Sequence, residues 1–134
     1  MKMQKEVLTV DVNITGATEV KGDNAEVCMI SFDGSATGPY FNGKILPGGI
    51  DTQKEFKGLG RQLSARYVLE GVDYKGNSCK IFIENNGRFD ENGNIITEPL
   101  IITDSEELEF LTKKDLKGTV EGKASGGVLI HIYE

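Results

Sequence analysis

The stretch LTVDVNI, Leu8 to Ile14, alternates Leu8, Val10, Val12 and Ile14 with Thr9, Asp11 and Asn13. Successive side chains of an extended chain point to opposite sides, so this spacing separates an apolar face from a polar one and describes a half-buried strand. The same period predicts strands over Glu26–Phe32, Tyr40–Leu46, Leu63–Glu70, Ser78–Asn85, Ile95–Ile102, Gly118–Lys123 and Val128–Tyr133. Asp33-Gly34, Pro47-Gly48-Gly49, Lys75-Gly76, Asn92-Gly93 and Gly126-Gly127 fall between them. These residues tolerate the dihedral angles of tight turns, so the connections read as hairpins. Ser105 to Leu116, SEELEFLTKKDL, reads as a short helix capped by Asp104 or Ser105, although Phe110 and Leu111 suit a strand equally.

Many short strands without regular helical crossovers must close or stack to hide their edges. The expected fold is therefore all-β: a single antiparallel up-and-down barrel of about eight strands, with one short helix and with a two-sheet sandwich as the alternative. The chain has 134 residues, 38% hydrophobic and 27% charged, enough for one core without staples, and no linker or repeat divides it. Residues 1–134 are read as one domain.

The formal charge is −6 and no lysine or arginine cluster interrupts the acidic background, which argues against nucleic acid as a partner. The opening MKMQKEVLTVDVN breaks its apolar residues with charge, unlike a secretory signal, and no run approaches membrane-spanning length. A cytoplasmic protein with no membrane partner is expected, and a homodimer stays open. Cys28 and Cys79 sit in apolar surroundings, where a free thiol behaves as a small hydrophobe. His131 is the only histidine and reads as a hydrogen-bonded strand residue, so no metal site is expected. DENGN, Asp90 to Asn94, lacks the full spacing of a calcium loop, and no phosphate-cradling or nucleophile motif points to a cofactor.

FNGKILPGGIDTQ, LSARYVLEG, KIFIENNGRF and the terminal VLIHIYE, in this order, resemble a bacterial and fungal family of unknown function, DUF3237. The pattern includes a Gly-Gly-x-Asp corner, an Asp-x-Arg strand and an Ile-Tyr-Val-x-Asn-x-Gly strand, and the likeness runs from about Gly38 onward. Here Ser64 stands for the acid of Asp-x-Arg, Phe82 for a tyrosine and Thr52 for an aromatic. The resemblance implies a calycin-like eight-stranded barrel and no established chemistry.

The candidate site gathers around the Pro-Gly-Gly corner. Asp51 is either a turn former or, with Gln53, a rim group at a barrel mouth. Arg66 lies mid-strand in LSARYVLEG. If its face is the lumen it needs a carboxylate, with Glu84 or Asp51 nearest by pattern, and its remaining donors suit a carboxylate or carbonyl ligand. Phe82 beside Glu84 suits a mostly apolar lumen with one polar fixture, and Arg88, after an Asn86-Gly87 turn, reads as a rim charge. Two functions use these residues. One is a barrel binding a small apolar or carboxylate-bearing molecule. The other is an isomerase- or lyase-type enzyme in which a lumenal carboxylate moves a proton. A third reading is a filled barrel acting through its surface.

Overall fold

The computed structural model describes residues 4–134, so the first three residues of the opening stretch lie outside the described residues. Its elements are β1 (Glu6–Lys21), β2 (Ala25–Thr37), β3 (Phe41–Ile45), β4 (Ile50–Phe56), β5 (Gly60–Asp73), β6 (Ser78–Phe89), β7 (Ile95–Thr103), a 3-10 helix (Glu106–Lys113), β8 (Lys117–Gly122) and β9 (Val128–Tyr133). All pairings are antiparallel, and β1 pairs with both β2 and β9, which closes the sheet. Both β3 and β4 lie between β2 and β5 as successive halves of one strand, so the segments form a closed eight-stranded barrel.

Pro47-Gly48-Gly49 is thus a break inside one barrel strand rather than a hairpin. Ile45 faces Leu69 and Ile50 faces Arg66, so this strand carries two residues more than its neighbour across the break. An even insertion preserves the alternation, and odd-numbered residues face inward on both sides. Gly49 lies on the Phe32 ring, where a Cβ would come within 3.1 Å of a ring carbon. β4 carries no apolar alternation in IDTQKEF, which is why period two alone misses it.

Two other expected turns are also strand interior. Asp33-Gly34 lies within β2, where a Cβ on Gly34 would meet the Asp11 carbonyl oxygen at 1.9 Å, and Asn86-Gly87 lies within β6, which runs on to Phe89. The hairpin that follows β4 instead turns through Lys57 to Leu59, with Gly58 and Gly60 at φ of +82° and +80°. In β1 the register slips between Ile14 and Gly16, so the inward face changes from even to odd residues: Ala17 stands opposite Ile30.

The core fills one end of the barrel. Leu8, Val10, Leu69, Ile81, Ile83 and Ile132 point inward from facing strands. The 3-10 helix closes that end, burying Leu108 and Leu111, and Phe110 meets Tyr40 edge-on at 5.0 Å. Asp73 ties the helix down: burial pushes its carboxyl up, but hydrogen bonds from the Asn77 and Lys75 amides and the Ser105 hydroxyl outweigh that and hold it below the usual range. Cys28 and Cys79 are free thiols. No helix among the described residues is long and apolar enough to cross a membrane.

Candidate functional site

Away from the helix the barrel is not filled. A cavity of about 140 Å³ lies among Val12, Phe32, Leu63, Ala65, Ile95 and Val128, with Asp51, Gln53, Asn85 and Thr97 as its polar fixtures. Register explains the grouping: Ile30, Asp51, Ala65 and Asn85 form one inward-facing row across β2, β4, β5 and β6. Ala65, the smallest side chain in that row, leaves room between Asp51 and Asn85. Thr97 on β7 lies diagonally from Asn85 and directly opposite Gly118 of β8. A Cβ at Gly118 would stand 2.2 Å from Thr97 Oγ1.

Beyond Ala65 toward the core, Tyr67 is buried against the edge of Phe32, with ring centroids 5.3 Å apart. Asn85 Nδ2 donates to Tyr67 Oη at 3.1 Å, satisfying the one polar atom that an inward tyrosine brings. Gln53 Nε2 donates to Asp51 Oδ2 at 2.9 Å, and Arg61 Nε donates to Gln53 Oε1 at 3.0 Å. Arg61 is anchored by Glu26 at 3.1 Å and Glu55 at 3.5 Å. A relay therefore runs from surface carboxylates through Arg61 and Gln53 to Asp51. Burial pushes the Asp51 carboxyl above its ordinary value, because the Gln53 hydrogen bond and the Arg61 charge offset only part of that cost.

Asp51 Oδ1, Asn85 Oδ1 and Thr97 Oγ1 are buried and have no hydrogen-bond partner. All three residues line this cavity. Natural interiors pair nearly all such atoms, since an orphan costs roughly 1–3 kcal/mol, so three around one space mark it out from the packed core.

The structure separates the residues expected to converge. Asp51 and Gln53 stand in the cavity wall. Arg66, Glu84, Phe82 and Arg88 do not, and their expected lumenal or rim placement is corrected. Arg66 and Glu84 are register partners joined at 2.8 Å, but on the outer face, where the Arg66 side chain is 66% exposed. Phe82 shares that outer face, half-buried between Val68 and Ile102, and Arg88 is exposed beside a shallow groove with Ile96 and Glu98. The physical reason is the opposite face: Tyr67 and Leu69 on β5, with Cys79, Ile81 and Ile83 on β6, bury more apolar surface than the Arg66 and Glu84 face, so that face turns inward. Asn85 ends this apolar series, and the pairing of an inward Tyr67 with an amide was the available signal for it. Thr97 and Arg61 carried no comparable pattern.

His131 lies on the outer face with Nδ1 2.6 Å from Glu6 and Nε2 2.7 Å from Glu121, bridging β1, β9 and β8 where the barrel closes. No group of three or more histidine, cysteine, aspartate or glutamate side chains among the described residues has the geometry to hold a metal ion.

Comparison with known proteins agrees with the architecture. A UPF0311 protein of Clostridium acetobutylicum is 41% identical over 81 residues, which is 60% of this chain and about half, 48%, of that protein's length. A crystal structure of a protein of unknown function from the same organism superposes with a TM-score of 0.81 at 25% identity, covering 98% of each chain. One from Rhodopseudomonas palustris, also of unknown function, gives 0.78 at 20% identity over 98% of this chain and 95% of that one. The DUF3237 family, described as proteins of unknown function, matches residues 4–98. The matched segment begins well before Gly38 and ends before the terminal strand. The chain belongs to the DUF3237 family.

Proposed function

We propose that the protein binds a small molecule in the unfilled half of its barrel. The observation that supports this reading is the coincidence of an apolar cavity with three unpartnered polar atoms on residues that line it. A few convergent polar groups in an otherwise apolar pocket are what fix a ligand's orientation. The Arg66–Glu84 pair has no part in it. A titration with one-ring compounds followed by two-dimensional NMR tests the reading. Resonances of lumen residues such as Ala65, Asn85 and Thr97 should move, and Ala65→Phe, which fills the space, should abolish the response. Shifts confined to the outer face around Arg66 and Glu84, or no shifts at all, would overturn it.

One feature favours a second reading, proton transfer of the isomerase or lyase type. The Asp51 carboxyl is raised by burial and touches an amide rather than a cation, which suits a proton acceptor. Its unpartnered Oδ1 would take the proton. Wild-type protein should then speed deuterium exchange beside the carbonyl of a one-ring ketone such as cyclohexanone, and Asp51→Asn should remove the effect. Equal exchange with and without protein sets this reading aside while leaving binding intact.

A further inference from the structure

The groups that surround the cavity also constrain the charge and hydrogen-bonding character of what it holds. We propose that the lumen selects a molecule of about one ring that donates a hydrogen bond and carries no negative charge; this rests on the small-molecule reading above.

The residues lining the cavity include a carboxylate but no lysine or arginine. Asp51 Oδ2 is engaged by Gln53, and Oδ1 is free to accept. Asn85 spends a donor on Tyr67, leaving Oδ1 as a buried acceptor. Thr97 Oγ1 is a hydroxyl that accepts as well as donates. The nearest guanidinium, Arg61, gives its Nε to Gln53 and directs Nη1 at Glu26 and Glu55, so it is turned away from the cavity. Of the three atoms with no partner at all, two can only accept and the third can do either, whereas the amide nitrogens of Asn85 and Gln53 each already hold one bond. A ligand that donates supplies the partners those atoms lack, whereas one that only accepts leaves both carbonyl-type oxygens orphaned and meets only the Thr97 hydroxyl or the spare N–H of an amide nitrogen that is already paired.

Charge gives the second constraint. A ligand carboxylate would lie in an apolar space beside Asp51 with no facing cation, and like charges in such surroundings repel far more strongly than in water. A hydroxyl brings no such penalty, and an ammonium group is attracted to Asp51. Both have the same chemistry, a donor without negative charge. Size gives the third: a dry cavity of about 150 Å³ accommodates benzene, so 140 Å³ matches a molecule of about one ring.

Four probes of one size separate the possibilities: benzyl alcohol, benzylamine, toluene and benzoate, each titrated into the full chain at pH 7 with lumen resonances as the readout. At least one of the two donors should bind about tenfold tighter than toluene, the equivalent of ~1.4 kcal/mol, and benzoate should bind more weakly than toluene. Whether the alcohol or the amine binds better identifies the neutral or the cationic source. Asp51→Asn should lower the amine's advantage over toluene about tenfold. Thr97→Val, a near-isosteric change, should lower the alcohol's advantage with the fold intact. Arg66→Ala, on the outer face, should leave all four affinities unchanged. If toluene binds as tightly as both donors, or benzoate binds tightest, the donor inference is wrong while the small-molecule reading stands. If none of the four moves a lumen resonance, that reading fails and the inference goes with it.

Discussion

Asp51 is held in a setting that works against its own charge. Its folded-state pKa is raised above 3.8, chiefly by burial. At about pH 3 the carboxyl is neutral in both states and adds nothing to the pH dependence. As pH rises the unfolded chain ionises first, so folding stability falls until the folded pKa is passed. Asparagine does not titrate. Asp51→Asn should therefore match wild type in stability near pH 3 and exceed it at pH 7, where only the wild type must hold a buried charge. Melting curves across that range check it, and a less stable variant at pH 7 would show that the carboxylate is better satisfied than its geometry indicates. Arg66→Ala offers the contrast. The guanidinium is mostly solvated despite its 2.8 Å contact with Glu84, and exposed pairs contribute under about 1 kcal/mol, so denaturant melts should show a loss no larger than that.

At the scale of elements, the 3-10 helix and the closing seam are two devices with different physics. Helices of this kind have poor hydrogen-bond geometry and rarely run long. This one persists because Leu108 and Leu111 drop into the barrel end and Asp73 holds Ser105 at 3.0 Å. Leu108 is fully buried, so Leu108→Ala should cost about 2–5 kcal/mol in urea unfolding, with the cavity at the other end unaffected. The seam is electrostatic. Hydrogen bonds to Glu121 and Glu6 raise the His131 pKa above 6.5, and the Thr9 hydroxyl, ahead of His131 itself, lowers that of Glu6 below 4.5. The histidine's contribution is complete below pH 6.5 and disappears as pH rises through its folded pKa. That of the glutamate is complete above pH 4.5 and disappears as pH falls through its own. The stability difference between wild type and His131→Ala should therefore peak between pH 4.5 and 6.5. A difference that grows toward pH 8 would contradict the assignment.

At the scale of the whole molecule, closure is the property to test. β9 carries only six residues, yet it joins β1 to β8, and it lies beyond the family match that ends at residue 98. Ending the chain after Gly127 would bare the edges of both neighbours, and unpaired edges recruit other chains. Such a truncation should lose cooperative unfolding and form β-rich aggregates by light scattering. A monomeric, cooperatively melting product would mean that the remaining sheet closes on itself.

Period-two alternation by itself determined the class of fold, since it states only which side chains share a face, and the strands around Leu8, Tyr67, Ile81 and Ile130 follow from it. Asp51 and Gln53 were legible because the Pro-Gly-Gly corner marks their position in the chain. The tertiary structure alone decided which face was the lumen. Arg66 and Tyr67 alternate on one strand, and only the sum of apolar area over all neighbouring strands turns Tyr67, Ile83 and with them Asn85 inward. It also decided what three of the expected turns were, because a glycine in a strand that another backbone approaches closely, as at Gly34, reads locally like a glycine in a hairpin. Register across the closed barrel, a property of pairs of strands far apart in the chain, brought Asp51, Asn85 and Thr97 around one space.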